Sequence, residues 1–223
     1  IAESNYTLRH ENNGVRMQQH TETVGLAALL RNDALDENSL LSLQDNQLLL
    51  TEFSYIHKSS DKKNRNIHMK IDWIQSEKNL LGNVKGTAKG EALSLKLNKA
   101  VWDTSSYQIP LMNNTKEGGE PQKISMMVKG SFKEYNFITH NTEEIEVNGN
   151  TINTIKIERD GSKNKSPIYL WLAPDLNNLP VKIEKWKNGE LQLTLTLQHA
   201  QFPSDKSKVF NAGAEEIDEF DDL

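Results

Sequence analysis

The 223-residue chain contains no cysteine. That absence excludes a disulfide framework, a thiolate zinc site and a thiol nucleophile. No apolar run approaches the roughly 18 residues of a membrane-spanning helix, so no transmembrane segment is expected. Proline is scarce at 6 residues and no Pro/Ser/Gly-rich stretch divides the chain, which gives no sign of a flexible linker. Positive charge is also short, with 26 Lys+Arg against 31 Asp+Glu. A net charge of −5 argues against nucleic-acid binding. Six of those acids fall in residues 214–223 with no base among them, so residues 1–213 carry a net +1. The acidity belongs to a tail, expected to be solvated, and not to the body.

Chemical signatures are equally sparse. The sequence holds no G-x-S-x-G elbow, no P-loop, no G-x-G-x-x-G and no H-E-x-x-H. His10, His20, His57, His68, His140 and His199 include no pair at the i, i+2 or i, i+4 spacing of metal ligands. Glu143 and Glu144 adjoin, but neighbours on a strand face opposite ways, which makes them a poor acid/base pair. No catalytic, metal or cofactor-binding residue is assigned, and no cofactor is expected.

What the sequence does hold is alternation. Leu191, Leu193, Leu195 and Leu197 alternate with Gln192, Thr194, Thr196 and Gln198. Period two with one apolar face predicts a half-buried strand. It follows Asn188-Gly189, which follows Val181 and Ile183 alternating with Lys182 and Glu184, so 180–198 is predicted to be a hairpin. Asn148-Gly149 marks a second hairpin, between 144–147 and 151–157. Lys129-Gly130 and Lys89-Gly90 mark further turns, and strands are expected over 48–56 and 67–74. Residues 24–30 and 39–43 read as a helical turn or strands, and 102–112 as a short helix ended by Pro110. The spacing predicts a mainly β fold: a single antiparallel, strongly curved sheet or β-barrel-like fold with two or three short helices, in one domain over 1–213.

Residues 168–173 depart from alternation. Tyr169 and Trp171 share one face of this expected strand while Ile168, Leu170 and Leu172 share the other, so both faces are apolar. Either the strand is buried on both sides or one face lines a cavity. On the cavity reading the candidate apolar lining is Tyr169, Trp171, Leu193, Leu195 and Met126.

Trp171-Leu172-Ala173-Pro174-Asp175-Leu176, followed by Leu179-Pro180-Val181-Lys182-Ile183 and a Lys-Asn-Gly-Glu turn, resembles the bacterial exported family known as domain of unknown function 3108. Asp72-Trp73 and the stretch from Trp102-Asp103 to Met112 fit the same pattern upstream, and the likeness extends over about residues 45–200. The resemblance implies a β-rich fold, export to the periplasm behind a signal peptide absent from this chain, and no established activity. It implies structural roles for Asp72, Trp73, Trp171, Pro174, Leu179 and Pro180.

Three functions compete on these grounds. The first is a non-enzymatic periplasmic module that binds a hydrophobic, lipid-like ligand or docks on an envelope protein. The second is a hydrolase of envelope glycan or lipid, marked by convergence of two or more of Asp72, Glu144, Glu158, His68 and His140 in the largest cavity. The third is an interaction module using the acidic tail. The first is the preferred expectation.

Overall fold

The computed structural model describes residues 2–24, 33–59, 65–76, 79–161, 165–202 and 210–211. Two antiparallel sheets dominate it. The first is a seven-stranded meander in the order β1-β2-β3-β4-β5-β6-β7, formed by β1 (Ala2–Glu11), β2 (Gly14–Thr23), β3 (Ala34–Gln44), β4 (Gln47–Lys58), β5 (Arg65–Ser76), β6 (Asn79–Ala88) and β7 (Glu91–Leu97). After helix α1 (Gln108–Asn114) comes the second sheet, in the order β13-β12-β11-β10-β9-β8. Its strands are β8 (Gln122–Val128), β9 (Ser131–Val147), β10 (Asn150–Arg159), β11 (Ile168–Ala173), β12 (Leu179–Lys187) and β13 (Glu190–Thr196). A two-stranded ladder joins β14 (His199–Ala200) to β15 (Phe210–Asn211).

The expectation of one continuous sheet is therefore corrected to two, and no pairing among the described residues closes either into a barrel. By contacts the chain divides into two compact units, residues 1–108 with 124–134, and residues 109–123 with 135–223. The division does not coincide with the sheets: most of β8 and the start of β9, both in the second sheet, fall in the first unit. The region 39–43 is strand, part of β3. Pro110 sits in the first turn of α1 and does not end it, since the helix runs on to Asn114. A first-turn proline removes an N–H that has no intrahelical partner in any case. Among the described residues α1 and a 3₁₀ turn at Pro174–Leu176 are the helical elements. Residues 25–30 and the acidic tail lie outside the described residues.

The turns follow the expected chemistry. Asn148-Gly149, Asn188-Gly189, Lys89-Gly90 and Lys129-Gly130 all have positive φ at both central positions, between 49° and 85°, as a two-residue type I′ hairpin requires. Asp45-Asn46, at 44° and 62°, makes another between β3 and β4.

In the first unit, one face of the meander carries Leu41, Phe53, Met69, Ile71 and Val84, all under 4 % exposed. Trp73 lies opposite Gly82 on this face, and a Cβ at Gly82 would come within 2.7 Å of the indole ring. The Trp73 Nε1–H donates to the Leu50 carbonyl at 2.7 Å. Gly82 thus makes room for the ring, and Asp72 points to the opposite, exposed face.

In the second unit, Ile155, Ile157, Leu170 and Leu172 form a buried face of the second sheet. On the other face one end is apolar: Val147, Trp171, Ala173, Leu176 and Val181 form a cluster against which Ile145, Ile152, Leu179, Leu197 and Phe202 pack. Burial on both sides is therefore the outcome for Leu170 to Ala173. Pro174 opens the 3₁₀ turn, Asn177 and Asn178 take left-handed backbone at φ 57°, and Pro180 enters β12 beside a register shift where no regular ladder bond is lost.

Candidate functional site

The face that is apolar around Trp171 turns polar along the same strands. Antiparallel register sets Trp171 between Lys156 on β10 and Lys182 on β12, and Tyr169 between Glu158 and Glu184. Lys156 Nζ lies 4.9 Å from the ring centroids of both Tyr169 and Trp171, and Lys182 Nζ lies 4.7 Å from that of Trp171. The ring faces hold the ammonium groups by their quadrupoles. The carboxylates close the network. Glu143 accepts the Trp171 Nε1–H, Lys182 pairs with Glu184 at 2.7 Å, and Trp186 Nε1–H donates to Glu184 at 2.9 Å. Burial tends to push the Glu184 carboxyl up, but Lys182, Trp186 and Lys156 outweigh it and hold the group below its ordinary value. Burial, with the charges of Glu158 and Glu184, raises the Tyr169 phenol.

Beside this network is an open depression of about 390 Å³ lined by His140, Asn141, Thr142, Glu143, Lys156, Glu158 and Tyr169. A second, of about 300 Å³, lies in the first unit and includes Lys96, Lys99, Val101, Phe132 and Glu134. Neither is the expected apolar cavity. Of the five candidate lining residues only Tyr169 borders the larger depression. Trp171 is 5 % exposed and packs in the apolar cluster. Leu195 stands beside Ile183 on the face opposite to Trp171. Leu193 is 43 % exposed because β13 is an edge strand with a neighbour on one side. Met126 is buried in the first unit, where Trp102 bridges to it. Alternation in β13 thus reflects an edge strand and not a cavity wall.

The convergence set as the mark of a hydrolase, two of these residues within hydrogen-bond reach in the largest cavity, is met by one pair and counts against a purely binding role: His140 Nε2 stands 3.1 Å from Glu158 in the larger depression. The rest do not join them. Glu144 is exposed and adjoins Glu143 on β9, while His68 and Asp72 sit exposed on β5 of the first unit. Among the described residues no group of three or more His, Asp or Glu is placed to hold a metal ion. Sequence reasoning missed Lys156, Lys182 and Glu184, although their alternation with Ile155, Ile157, Val181 and Ile183 was visible and put them on one face.

A two-sheet antiparallel β protein with a charged, aromatic face on its second sheet is the class these features define. The chain belongs to the family described as Protein of unknown function (DUF3108), whose model matches residues 1–196. Among solved structures it is similar to the beta-barrel-like protein of domain of unknown function DUF1849 from Brucella abortus, at 10 % identity and a TM-score of 0.52 over 87 % of each chain. That likeness supports the barrel-like part of the expectation at the level of fold. No curated protein matches. No helix among the described residues is long and apolar enough to cross a membrane.

Proposed function

We propose that the protein is a non-enzymatic, exported module that docks an envelope partner on the solvent face of its second sheet. The observation that carries this reading is the half-buried Tyr169, flanked by Lys156, at the edge of the larger depression. A rigid strand presents an aromatic ring with both charge signs around it, which is the make-up of an interface hot spot with a polar rim. Docking is favoured over a lipid-like ligand because the depression is open and polar in its lining, whereas an apolar ligand needs an enclosed apolar wall. Placement in the periplasm rests on the resemblance of the Trp171 motif to an exported family.

The test is native mass spectrometry of protein purified from its own host. Docking predicts a bare chain or a chain with a bound protein. A stoichiometric apolar molecule that survives purification contradicts docking and restores the ligand form of the reading.

The His140–Glu158 contact favours a second reading, the hydrolase, in which the carboxylate orients the imidazole as a base towards water. Against it, the His140 side chain is 42 % exposed and the depression is open, so neither water exclusion nor a second catalytic group supports the pair. Turnover of envelope glycan or lipid fractions that is lost in both His140→Ala and Glu158→Gln would replace docking with this activity.

A further inference from the structure

We propose that Glu37 on β3 and the turn starting at Asp103 form a proton-operated latch: with one proton shared between two buried carboxyls the turn stays seated, and loss of that proton releases it. Both groups belong to the first unit and are separate from the face described above. Glu37 is 5 % exposed and Asp103 is fully buried. Thr104 bridges them, since its hydroxyl donates to Glu37 while its neighbour is Asp103.

The two carboxylates are not equally provided for. Asp103 accepts the backbone N–H of Ser105 at 2.8 Å, that of Ser106 at 2.9 Å and the Ser106 hydroxyl at 2.7 Å. Three donors favour its charged form. For Glu37 the donor is the Thr104 hydroxyl. Burial raises the Asp103 carboxyl as well, against its three donors; of the two, the better-provided Asp103 takes the charge, which then acts on Glu37, and the proton resides on Glu37.

Around Glu37 stand Tyr6 from β1, Gln19 opposite it on β2, Tyr55 opposite it on β4, and Ser39 two residues along β3. The charge acting on Glu37 is that of Asp103, of like sign. Two ionised carboxylates in one dry site cannot both be tolerated, so ionisation of Glu37 must be relieved by moving the turn. Burial and the Asp103 charge push the Glu37 carboxyl up to about 7, against the Thr104 hydrogen bond. Exposure on release returns it towards the ordinary 4.5. Opening thus becomes about tenfold easier per pH unit from about 5 to 7 and levels off above, because the open form binds the proton more weakly.

Amide hydrogen exchange of Ser105 and Ser106, the two backbone donors to Asp103, reads the latch directly. After correction for intrinsic exchange, their protection is expected to fall about tenfold per pH unit between pH 5 and 7 and to be flat from 7 to 8. It is also expected to be insensitive to low urea, since a local opening exposes little surface. In Glu37→Gln, a neutral isostere of the protonated form, the pH slope is expected to vanish. The carboxyl ¹³C shift of Glu37 in the unmodified protein gives an independent reading, with a titration near 7 expected. A Glu37 titration in the ordinary carboxylate range overturns the proposal. So does a slope that persists in Glu37→Gln, or protection that follows urea as the core amides do, since release would then be global unfolding.

Discussion

The two sheets treat their charges in opposite ways. The first buries a carboxylate, Glu37, on a face otherwise made of Leu41, Phe53 and Met69, with Asp103 as its charged neighbour. The second keeps Glu143, Lys156, Lys182 and Glu184 at a half-wet face where each cation has an anion or a ring within reach. Energy follows from the setting and not from the residue type. An unpaired buried carboxyl shifts its proton equilibrium and makes folding depend on pH, whereas paired surface charges contribute tenths of a kcal/mol each and leave the face free to bind.

The largest effect tests where the second sheet's polar face ends. Trp171→Ala removes a ring that is 5 % exposed from the apolar cluster, so unfolding in urea should show a loss of about 3–5 kcal/mol. A loss under about 1 kcal/mol would place Trp171 at the surface and enlarge the docking face at the expense of the core.

Next comes the pH profile of the first sheet. The folded Glu37 titrates at about 7 against 4.5 when exposed, so the folded state holds its proton more tightly and this group's contribution to stability is greatest at acid pH. It should decline between about pH 4.5 and 7 by up to about 3 kcal/mol. Glu37→Gln should remove most of that decline in urea titrations repeated at each pH. A profile unchanged by the substitution would erase the contrast between the sheets.

Smaller is the charge network itself. Lys156→Met keeps the aliphatic stem over Tyr169 and Trp171 and loses only the charge, so stability should change by less than about 1 kcal/mol. The smallest effect concerns a surface pair on the first sheet. A hydrogen bond to Asp36 at 2.6 Å raises the exposed His20 imidazole above its ordinary value. Asp36→Asn should lower it, as seen in the histidine ring NMR titration. Since a raised imidazole adds stability that fades as pH rises through its titration, the wild-type His20 leaves a slight slope near neutrality even in Glu37→Gln.

Local features were legible in the sequence and distant ones were not. Asn-Gly and Lys-Gly pairs announced type I′ turns because the left-handed backbone they accept is a property of two residues. The doubly apolar strand at 168–173 likewise narrowed its fate to burial on both sides or a cavity wall, and the structure buries Leu170 to Ala173. Glu37 looked like an ordinary polar position between Leu35 and Leu41, because what buries it is a turn 66 residues later in the chain. Leu193 and Leu195 looked like a wall because alternation tells which residues share a face, not whether anything covers it. The split into two sheets escaped notice because pairing partners, and not composition, decide where one sheet stops. The larger depression is assembled from β9, β10 and β11, whose bulge between Ile155 and Ile157 resets which residues of β9 and β10 stand opposite. No window of sequence contains that register.

Docking on the second sheet is tested most directly by in vivo photo-crosslinking from the two sheets side by side. A photoreactive amino acid replaces Tyr169 in one strain and Ile74 in another, Ile74 being a 57 % exposed apolar residue of the first sheet. A discrete protein adduct from position 169, with none from position 74, is the expected result. Adducts from position 74 alone, or equal labelling from both, would contradict a working face on the second sheet.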